Sequence, residues 1–268
     1  MIDGRKRKFI KELLQKAKLR RESGLYVVDG ARMCAEIPPD EAEEIFVTRE
    51  FLSSANAEIC GPLLRRCGFT EVTEQEMKQV SDTVTPQGIL ALVRQKRVRG
   101  LSELLNMSER MPLLVLLETI QDPGNLGTII RAAEAAGATG ILMNRECVDI
   151  YSPKVVRSTM GSLFRVPFLV VEDLSEACVR LKQEKPEGGY PGLKLYAAHL
   201  KGAREYTLAD YRIPCALMIG NEGRGLTDAL TEHADAAVKI PMCGSVESLN
   251  AAMAAAIILF EASRQRRN

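Results

Sequence analysis

The hydrophobic positions in the second part of the chain form short, nearly continuous apolar runs, separated by segments of helical spacing. The first run, 113–117, is Leu-Leu-Val-Leu-Leu, a pattern typical of a strand that is covered on both faces. Similar runs recur at 140–143, 166–171, 193–198, 216–220 and 236–240, and helices are predicted at 128–136, 153–160, 174–183 and 227–232. This alternation predicts a parallel α/β sheet with ligand-binding loops at the carboxyl ends of its strands.

The first 95 residues carry shorter and more mixed elements. Apolar spacing over 8–19 predicts one helix, and a second helix is predicted over 31–37 because two prolines follow it. Strand-like runs lie at 25–28, 44–47, 70–72 and 89–93. We therefore expect a small α/β domain over 1–95, a polar and basic linker over 96–112, and the parallel-sheet domain over 113–268.

The last helix is predicted over about residues 248–265. Its apolar residues at 249, 253, 256, 257 and 260 form one stripe, which we expect to pack on the sheet. The small alanine side chains of this helix would also permit close packing against a partner subunit.

Composition and charge are those of a folded protein. The chain has 268 residues, of which 46% are hydrophobic and 26% are charged, and this balance excludes overall disorder. The net charge is only +1, but basic residues concentrate in 1–21 and 94–99, whereas 36–50 is acidic. A segregated basic face can bind the phosphates of a nucleic acid, although a solvated helix face has the same composition.

The cysteines and the lengths of the apolar runs indicate in which cellular compartment the protein is expected. Seven cysteines without a C-x-x-C pair predict free thiols in a reducing environment. The basic N-terminus lacks the apolar segment of a secretory signal, and the longest apolar run, 251–260, has half the length of a membrane span. We therefore expect a cytoplasmic protein that does not cross a membrane.

Three glycine-bearing loops follow three of the predicted strands, and each is a weak signal by itself. They span residues 122–127, 220–226 and 241–250. None has the G-x-G-x-x-G spacing of a dinucleotide-binding turn, so a nicotinamide-dependent enzyme stays open without being favoured. The chain also lacks a P-loop and a G-x-S-x-G motif, and its two histidines, His199 and His233, are too few for a histidine-based metal site. We expect no metal.

The order and spacing of the three loops are much more specific. Asn125-x-Gly127-x-x-x-Arg131, then 220–226, then 240–250 resemble the three motifs of the SpoU (TrmH-like) family of SPOUT methyltransferases. Residues 151–165 resemble the segment between the first two motifs, so the resemblance covers about 113–266. Residues 5–93, which include Arg20-Arg21 and Tyr26-x-Val28-Asp29-Gly30, resemble the ribosomal-protein-like RNA-binding domain that often precedes this catalytic domain.

The resemblance implies an RNA 2′-O-ribose methyltransferase that uses S-adenosylmethionine. The implied fold is a six-stranded parallel sheet with a deep C-terminal trefoil knot, working as a homodimer. The domain arrangement favours ribosomal RNA over transfer RNA as the substrate. An RNA-binding protein of the same family that has lost catalysis is the alternative from another functional class, and retention of the motif residues argues against it.

Individual residues take their expected roles from the motifs they match. The resemblance assigns catalysis and substrate positioning to Asn125, Arg131, Glu222, Ser248 and Asn250. It assigns cofactor binding to His199, Leu200, Gly220, Asn221, Glu222, Ile240, Met242, Ser248 and Leu249. We expect RNA contacts from Arg20, Arg21 and Arg165.

Two points in this assignment stay open. Arg131 is the family's proposed base, but a guanidinium is effectively always protonated, so it can equally grip a phosphate and stabilise a developing alkoxide. Ala252 departs from the family pattern, because many relatives have serine there.

Overall fold

The computed structural model describes residues 2–96, 98–184, 189, 192–200, 204–245 and 248–267. Its internal contacts divide the chain into two compact units. We call the first the N-terminal unit, which comprises Met1–Lys96 and Asp149–Phe164, and the second the C-terminal unit, which comprises Arg97–Val148 and Arg165–Asn268. The segment Asp149–Phe164, which the sequence order placed within 113–268, thus packs with the N-terminal unit.

The described residues of the N-terminal unit form a four-stranded mixed sheet in the order β1–β4–β2–β3. β4 is antiparallel to β1 and β2, and β2 is parallel to β3. The strands are β1 (Leu25–Asp29), β2 (Ala42–Thr48), β3 (Thr70–Val72) and β4 (Ile89–Arg94). The helices are α1 (Gly4–Gln15), α2 (Ala17–Ser23), α3 (Ala31–Ala35), α4 (Arg49–Leu52), α5 (Asn56–Cys67), α6 (Glu74–Val80) and, from the later segment, α9 (Pro153–Thr159).

The single helix predicted over 8–19 is two helices, because the chain breaks at Lys16. Lys16 has extended backbone angles, φ −112° and ψ 104°, between α1 and α2. The Arg20 guanidinium donates to the carbonyl oxygens of Leu13 and, at 3.3 Å, of Leu14. These carbonyls belong to the last turn of α1, which the break leaves without helical partners. Apolar spacing does not report such a cap, and this is why the break was not predicted.

The C-terminal unit contains the expected parallel α/β sheet, which confirms this part of the predicted fold. Among the described residues, seven strands pair in parallel in the order β7–β6–β5–β10–β8–β11–β9. They are β5 (Leu113–Leu117), β6 (Gly140–Asn144), β7 (Phe168–Val171), β8 (Lys194–Ala198), β9 (Arg204–Glu205), β10 (Cys215–Ile219) and β11 (Ala236–Lys239). The resemblance implied six strands, and the seventh is β9 at the edge of the sheet. It has two polar residues, so no apolar run in the sequence marks it.

Helices accompany the strands of this sheet. They are α7 (Leu101–Asn106), α8 (Pro123–Ala136), α11 (Leu174–Gln183), α12 (Asp228–Thr231) and α13 (Ala251–Arg267). The short helix α10 (Ser162–Arg165) has its first three residues in the N-terminal unit and its last in the C-terminal unit. β5 and β10 are buried along their whole length, and leucines of α7 and α11 pack against the sheet in the same core. Burial on both faces explains why these strands have continuous apolar sequences.

The stripe predicted to bury α13 was wrong. α13 lies along α8 and beside β10, and it buries Ala255, Ile258 and Leu259. Met253 and Phe260, two members of the predicted stripe, are instead exposed. Every residue from 251 to 260 is apolar, so helical periodicity does not distinguish the buried face from the exposed one.

Candidate functional site

Three loops leave the carboxyl ends of neighbouring strands in the C-terminal unit. The first follows β5 and leads into α8, the second follows β10, and the third follows β11 and leads into α13. β5 is adjacent to β10, and β8 lies between β10 and β11. The carboxyl ends of parallel strands meet at one edge of a sheet, so the three motif loops lie where sheets of this class bind ligands.

The second loop is a tight turn held by its own hydrogen bonds. Asn221 and Gly225 exchange backbone hydrogen bonds of 3.0 and 2.9 Å. The side-chain oxygen of Asn221 accepts from the amides of Gly223 and Arg224, at 2.9 and 3.1 Å. Its Nδ2 donates to the carbonyl oxygen of Thr119 at 2.8 Å. These bonds fix the turn and attach it to the loop that follows β5.

Gly220 begins this turn, and the backbone of the turn passes directly over it. A Cβ atom at Gly220 would collide with the backbone of Gly225 and Leu226. Both obstacles are main-chain atoms, so no change of rotamer relieves the collision. Glycine is therefore required here for close approach of the backbone.

The Glu222 carboxylate joins the second loop to the first. Its Oε1 accepts from the amide of Asp122 at 3.2 Å and from Nδ2 of Asn125 at 3.0 Å, and its Oε2 accepts from the amide of Gln121 at 3.4 Å. Burial raises the pKa of Glu222, but the hydrogen bonds from Asn125 and from backbone amides outweigh burial and hold this pKa below its ordinary value of 4.5. The carboxylate is therefore ionised at neutral pH.

Asn250 connects the third loop to the same group. Its Nδ2 donates to Oδ1 of Asn125 at 2.9 Å. Its Oδ1 accepts from the amides of Ala252 and Met253, at 2.9 and 3.3 Å, in the first turn of α13. Asn250 thus caps the helix and contacts the neighbouring loop with opposite ends of one amide.

The Glu222 carboxylate at one end and the backbone amides of α13 at the other determine how the side-chain amides of Asn125 and Asn250 are oriented. An ionised Glu222 only accepts, so Asn125 must present Nδ2 to it and Oδ1 to Asn250. Asn250 must then present Nδ2 to Asn125, which leaves its Oδ1 for the amides of α13. Every donor in this chain of hydrogen bonds meets an acceptor, from the helix amides to the carboxylate. We call Glu222, Asn125 and Asn250 the carboxylate–amide relay.

A cleft opens between the second and third loops. Including its open mouth it encloses about 710 Å³. All nine residues expected to bind the cofactor line this cleft. They are His199, Leu200, Gly220, Asn221, Glu222, Ile240, Met242, Ser248 and Leu249. Ala198, Ile219, Val238 and Ile258 add apolar surface, and Gly225, Lys239, Ala251 and Ala254 also line the cleft.

The five residues expected to act in catalysis are not all brought together. Asn125, Glu222 and Asn250 form the relay, and Ser248 lines the cleft. Arg131 lies two turns along α8, exposed, and makes no hydrogen bond or ion pair with the residues that the structure describes. Ala252, the residue that departs from the family pattern, is buried.

The three arginines expected to contact RNA have different surroundings. Arg20 is 4% exposed, and its guanidinium is bound to Asp149 at 2.7 Å as well as to the end of α1. Its N–H groups already donate to partners inside the fold. We therefore do not include Arg20 among the proposed RNA contacts. Arg165 forms a two-pronged ion pair with Glu134, and Arg21 is exposed on α2.

Thr119 is a part of the site that sequence reasoning missed. It has φ 57°, a left-handed conformation that β-branched residues rarely adopt. Asn144 holds it by accepting from its amide at 2.8 Å and donating to its hydroxyl at 3.0 Å, and Asn221 binds its carbonyl oxygen. No sequence pattern marks a non-glycine residue for this conformation, because it depends on partners from two distant loops.

Within the described ranges, no three His, Cys, Asp or Glu side chains are grouped so that they could hold a metal ion. No helix built from described residues combines the length and apolar character that crossing a bilayer requires.

The family follows from a match over the motif-bearing part of the chain. Residues 112–260 match the model of the SpoU rRNA Methylase family. The chain belongs to the SpoU rRNA methylase family. Residues 5–91 match a second model, the MRM3-like substrate binding domain, so both halves of this SpoU chain have recognisable relatives.

Individual relatives extend the comparison to the whole SpoU chain. The 23S rRNA (guanosine-2′-O-)-methyltransferase RlmB of Pseudomonas putida is 35% identical over 183 residues, 67% of this chain and 71% of its own length. The 23S rRNA (guanosine(2553)-2′-O)-methyltransferase RlmP of Bacillus subtilis is 30% identical over 247 residues, 92% of each chain. The crystal structure of the SpoU methyltransferase AviRb from Streptomyces viridochromogenes with the cofactor AdoMet has a TM-score of 0.85 at 30% identity, covering 99% of both chains.

Proposed function

We propose that this protein transfers a methyl group from S-adenosylmethionine to the 2′-hydroxyl of a ribose in ribosomal RNA. The observation that carries the proposal is the cleft at the carboxyl edge of the sheet, where the second and third motif loops supply the walls and the relay lies beside it. RlmB, RlmP and AviRb are named as methyltransferases, and the first two as 23S rRNA 2′-O-methyltransferases.

The lining of the cleft fits this cofactor. Val238, Ile240, Leu249 and Ile258 supply apolar surface suited to a purine ring, while Asn221, Glu222 and Ser248 supply polar groups suited to hydroxyl and amino groups. When bound, S-adenosylmethionine supplies an electrophilic methyl group on a sulfonium. We assign its binding to the nine lining residues named above.

The relay positions the site in this proposal. The side-chain amides of Asn125 and Asn250 hydrogen-bond to each other, to Glu222 and to the start of α13. Both asparagines therefore act as positioning residues. The ionised Glu222 fixes the order of donors and keeps the first two loops together. Positioning of this kind is a major part of group transfer, because the nucleophile must lie in line with the methyl carbon.

Arg131 is assigned the electrostatic role. As the oxygen of the 2′-hydroxyl forms its bond to the methyl carbon, the carbon–sulfur bond breaks and the hydroxyl proton passes to solvent water. Negative charge develops on the oxygen during this transfer. The exposed guanidinium of Arg131 has five N–H donors in a planar fork, which suits a phosphate and a developing alkoxide. Arg131→Lys keeps the charge and loses the fork, so near-normal turnover of that variant would contradict this assignment.

The substrate and the assembly complete the proposal. The match of residues 5–91 to a substrate-binding model supports 1–95 as an RNA-binding domain that resembles a ribosomal protein, joined through 96–112 to the catalytic domain over 113–268. Its exposed Arg21 is a candidate RNA contact, as is Arg165 of the C-terminal unit. We also propose the knotted topology of the family for the C-terminal unit.

A homodimer is proposed from the exposed face of α13. Met253 and Phe260 are exposed one above the other, seven residues apart, with the half-buried Ile257 between them. An apolar stripe of this kind is typical of a surface covered by a partner. Light scattering on the purified protein is expected to give twice the chain mass, and Phe260→Glu is expected to lower it toward one chain.

Two measurements test the activity. Calorimetric titration should show binding of S-adenosylmethionine and none of NAD, and absence of the former would refute the proposal. Mapping of 2′-O-methylation on total RNA from cells with and without the gene should then reveal one mark missing from ribosomal RNA. A missing transfer RNA mark would favour the alternative substrate, and a missing base methylation would overturn the ribose assignment.

A further inference from the structure

The N-terminal unit contains a second cleft, which includes none of the three glycine-bearing loops that form the candidate site. It lies where the turn after β1, the loop 81–88 before β4 and the end of α9 meet. Including its open mouth it encloses about 620 Å³. The residues that matter for its chemistry are Arg32, Met33, Thr83, Thr85, Arg157 and Met160. We call it the β1–α9 cleft.

Hydrogen bonds hold the walls of this cleft in place. Oε1 of Gln87 accepts from the amide of Ala31 at 2.9 Å, and the Ser81 hydroxyl donates to the Asp29 carboxylate. These two bonds join the loop 81–88 to the turn after β1. Nη1 of Arg157 donates to Oδ2 of Asp82 at 2.8 Å, which joins the same loop to α9. The cleft is therefore built from three segments before any ligand arrives.

Its lining combines arginines, hydroxyls, exposed apolar side chains and the Asp29 carboxylate, which accepts from Ser81. Arg32 is exposed and makes no hydrogen bond or ion pair with the described part of the chain, whereas Arg157 is paired with Asp82. Thr83 and Thr85 both line the opening, and the Thr83 hydroxyl shares a 2.8 Å hydrogen bond with the Ser81 hydroxyl. Met160 is 45% exposed at its edge, and Val84, at the tip of the same loop, is fully exposed. Large apolar side chains left in water beside a cleft mark a binding surface.

We infer that the β1–α9 cleft binds one unpaired nucleotide of the RNA substrate, with the phosphate on Arg32 and the base against Met160 and the Thr83–Thr85 loop. The inference rests on the proposed function for the identity of the polymer and deepens it by giving the RNA a second point of attachment. Unpaired bases present their faces and Watson–Crick edges to protein side chains, whereas stacking and pairing in a duplex conceal both.

The test measures equilibrium binding of a short fluorescein-labelled single-stranded RNA of random sequence, by fluorescence anisotropy, with the same RNA in duplex form as comparison. The variants are Arg32→Gln and Thr85→Val, and the control is Arg66→Gln, which removes the same charge from an exposed arginine of α5 that does not line the cleft. Thr85→Val preserves the shape of the side chain and removes its hydroxyl.

We expect the single strand to bind more tightly than the duplex. Arg32→Gln should weaken single-strand binding about tenfold and reduce its log–log salt dependence by about 0.7 to 1, the loss of one phosphate contact. Thr85→Val should weaken it severalfold, and Arg66→Gln should leave it within about twofold. Unchanged binding in both cleft variants, a preference for the duplex, or an equal effect of Arg66→Gln would each overturn the inference.

The outcome is separable from the proposed activity. The cofactor cleft lies in the C-terminal unit, so all three variants are expected to bind S-adenosylmethionine as the unaltered protein does. Failure of S-adenosylmethionine to bind the unaltered protein would refute the methyltransferase proposal without changing the RNA-binding comparison. Normal cofactor binding together with unaltered RNA binding in Arg32→Gln would overturn the nucleotide cleft and leave the methyltransferase proposal intact.

Discussion

Asn125 and Glu222, separated by 97 positions in the chain, are joined by a 3.0 Å hydrogen bond from Nδ2 to Oε1. The bond links the start of α8 to the turn that follows β10. Through Asn250 the same connection reaches the first turn of α13. One side-chain relay therefore joins all three motif loops. A substitution that breaks the relay at one loop is expected to alter the position of the other two.

Asn250 offers a way to separate its two functions. Asn250→Asp keeps the oxygen that accepts from the amides of α13, because aspartate is as good a cap as asparagine. It loses the donor to Asn125, and an Asn125 amide that turns to compensate would present its oxygen to the Glu222 carboxylate. We expect stability close to that of the unaltered protein and turnover reduced at least about tenfold.

Asn250→Ala is the matched comparison, since it removes the cap and the donor together. It should lose about 1 kcal/mol of unfolding free energy in urea, in addition to the loss of turnover. The two variants are compared by denaturation and by methyl transfer to RNA. Normal turnover in Asn250→Asp would show that the hydrogen bond to Asn125 has no positioning role.

The pKa of Glu222 gives a prediction about pH. A carboxyl group whose pKa is lower in the folded than in the unfolded protein stabilises the fold above the unfolded value, and this contribution is lost as the pH falls through the folded pKa. The pKa of Glu222 is held below 4.5. The stability difference between the unaltered protein and Glu222→Gln should therefore be constant near neutral pH and shrink as the pH falls below that value.

Urea denaturation at a series of pH values from about 7 to about 3 measures this difference. Subtraction of the two proteins removes the contribution of the other carboxyl groups, which they share. A difference that stays constant across the whole range would mean that Glu222 has the same pKa in the folded and the unfolded protein, and it would contradict the lowering of this pKa by the hydrogen bonds of the relay.

Local patterns predicted much of the fold of the C-terminal unit. The apolar runs at 113–117, 140–143 and 236–240 fall on β5, β6 and β11 to within one residue. β5 and β6 are buried along nearly their whole length, and continuous burial leaves a direct record in the sequence, whereas in β11 only Val238 is buried. The helix of α11 coincides with the prediction over 174–183, because its buried residues recur at helical spacing.

Features that depend on distant partners were not predictable in this way. The break at Lys16 depends on Arg20 capping α1, and the burial of Arg20 depends on Asp149 from a segment more than a hundred residues away. Periodicity also cannot choose a face of α13, where ten consecutive residues are apolar. At the site, the resemblance to the family identifies the motif residues around the cleft, whereas the pairing of Thr119 with Asn144 leaves no recognisable pattern in the sequence.

Gly220 and Gly223 give a pair of substitutions in one loop with opposite expectations. In Gly220→Ala the new methyl group would collide with the backbone of Gly225 and Leu226, so the turn must move. In Gly223→Ala the nearest atom is Oδ1 of Asn221 at 3.6 Å, an ordinary contact. Calorimetry should show S-adenosylmethionine binding weakened at least about tenfold in Gly220→Ala and within about twofold of normal in Gly223→Ala. Equal affinities would contradict the close approach at Gly220.

Arg266 gives the last prediction, on stability. Its guanidinium donates to the carbonyl oxygens of Met111, Pro112, Tyr211 and Ile213, at 2.7 to 2.8 Å, and so fastens the end of α13 beside the amino ends of β5 and β10. Arg266→Ala leaves four carbonyl groups without this donor, and about 3–5 kcal/mol of unfolding free energy should be lost in urea. Arg267→Ala removes the same charge from an exposed neighbour and should change stability by less than about 0.5 kcal/mol. Similar stabilities of the two variants would mean that water replaces the guanidinium without cost, and the fastening of α13 would then rest on its apolar packing against α8.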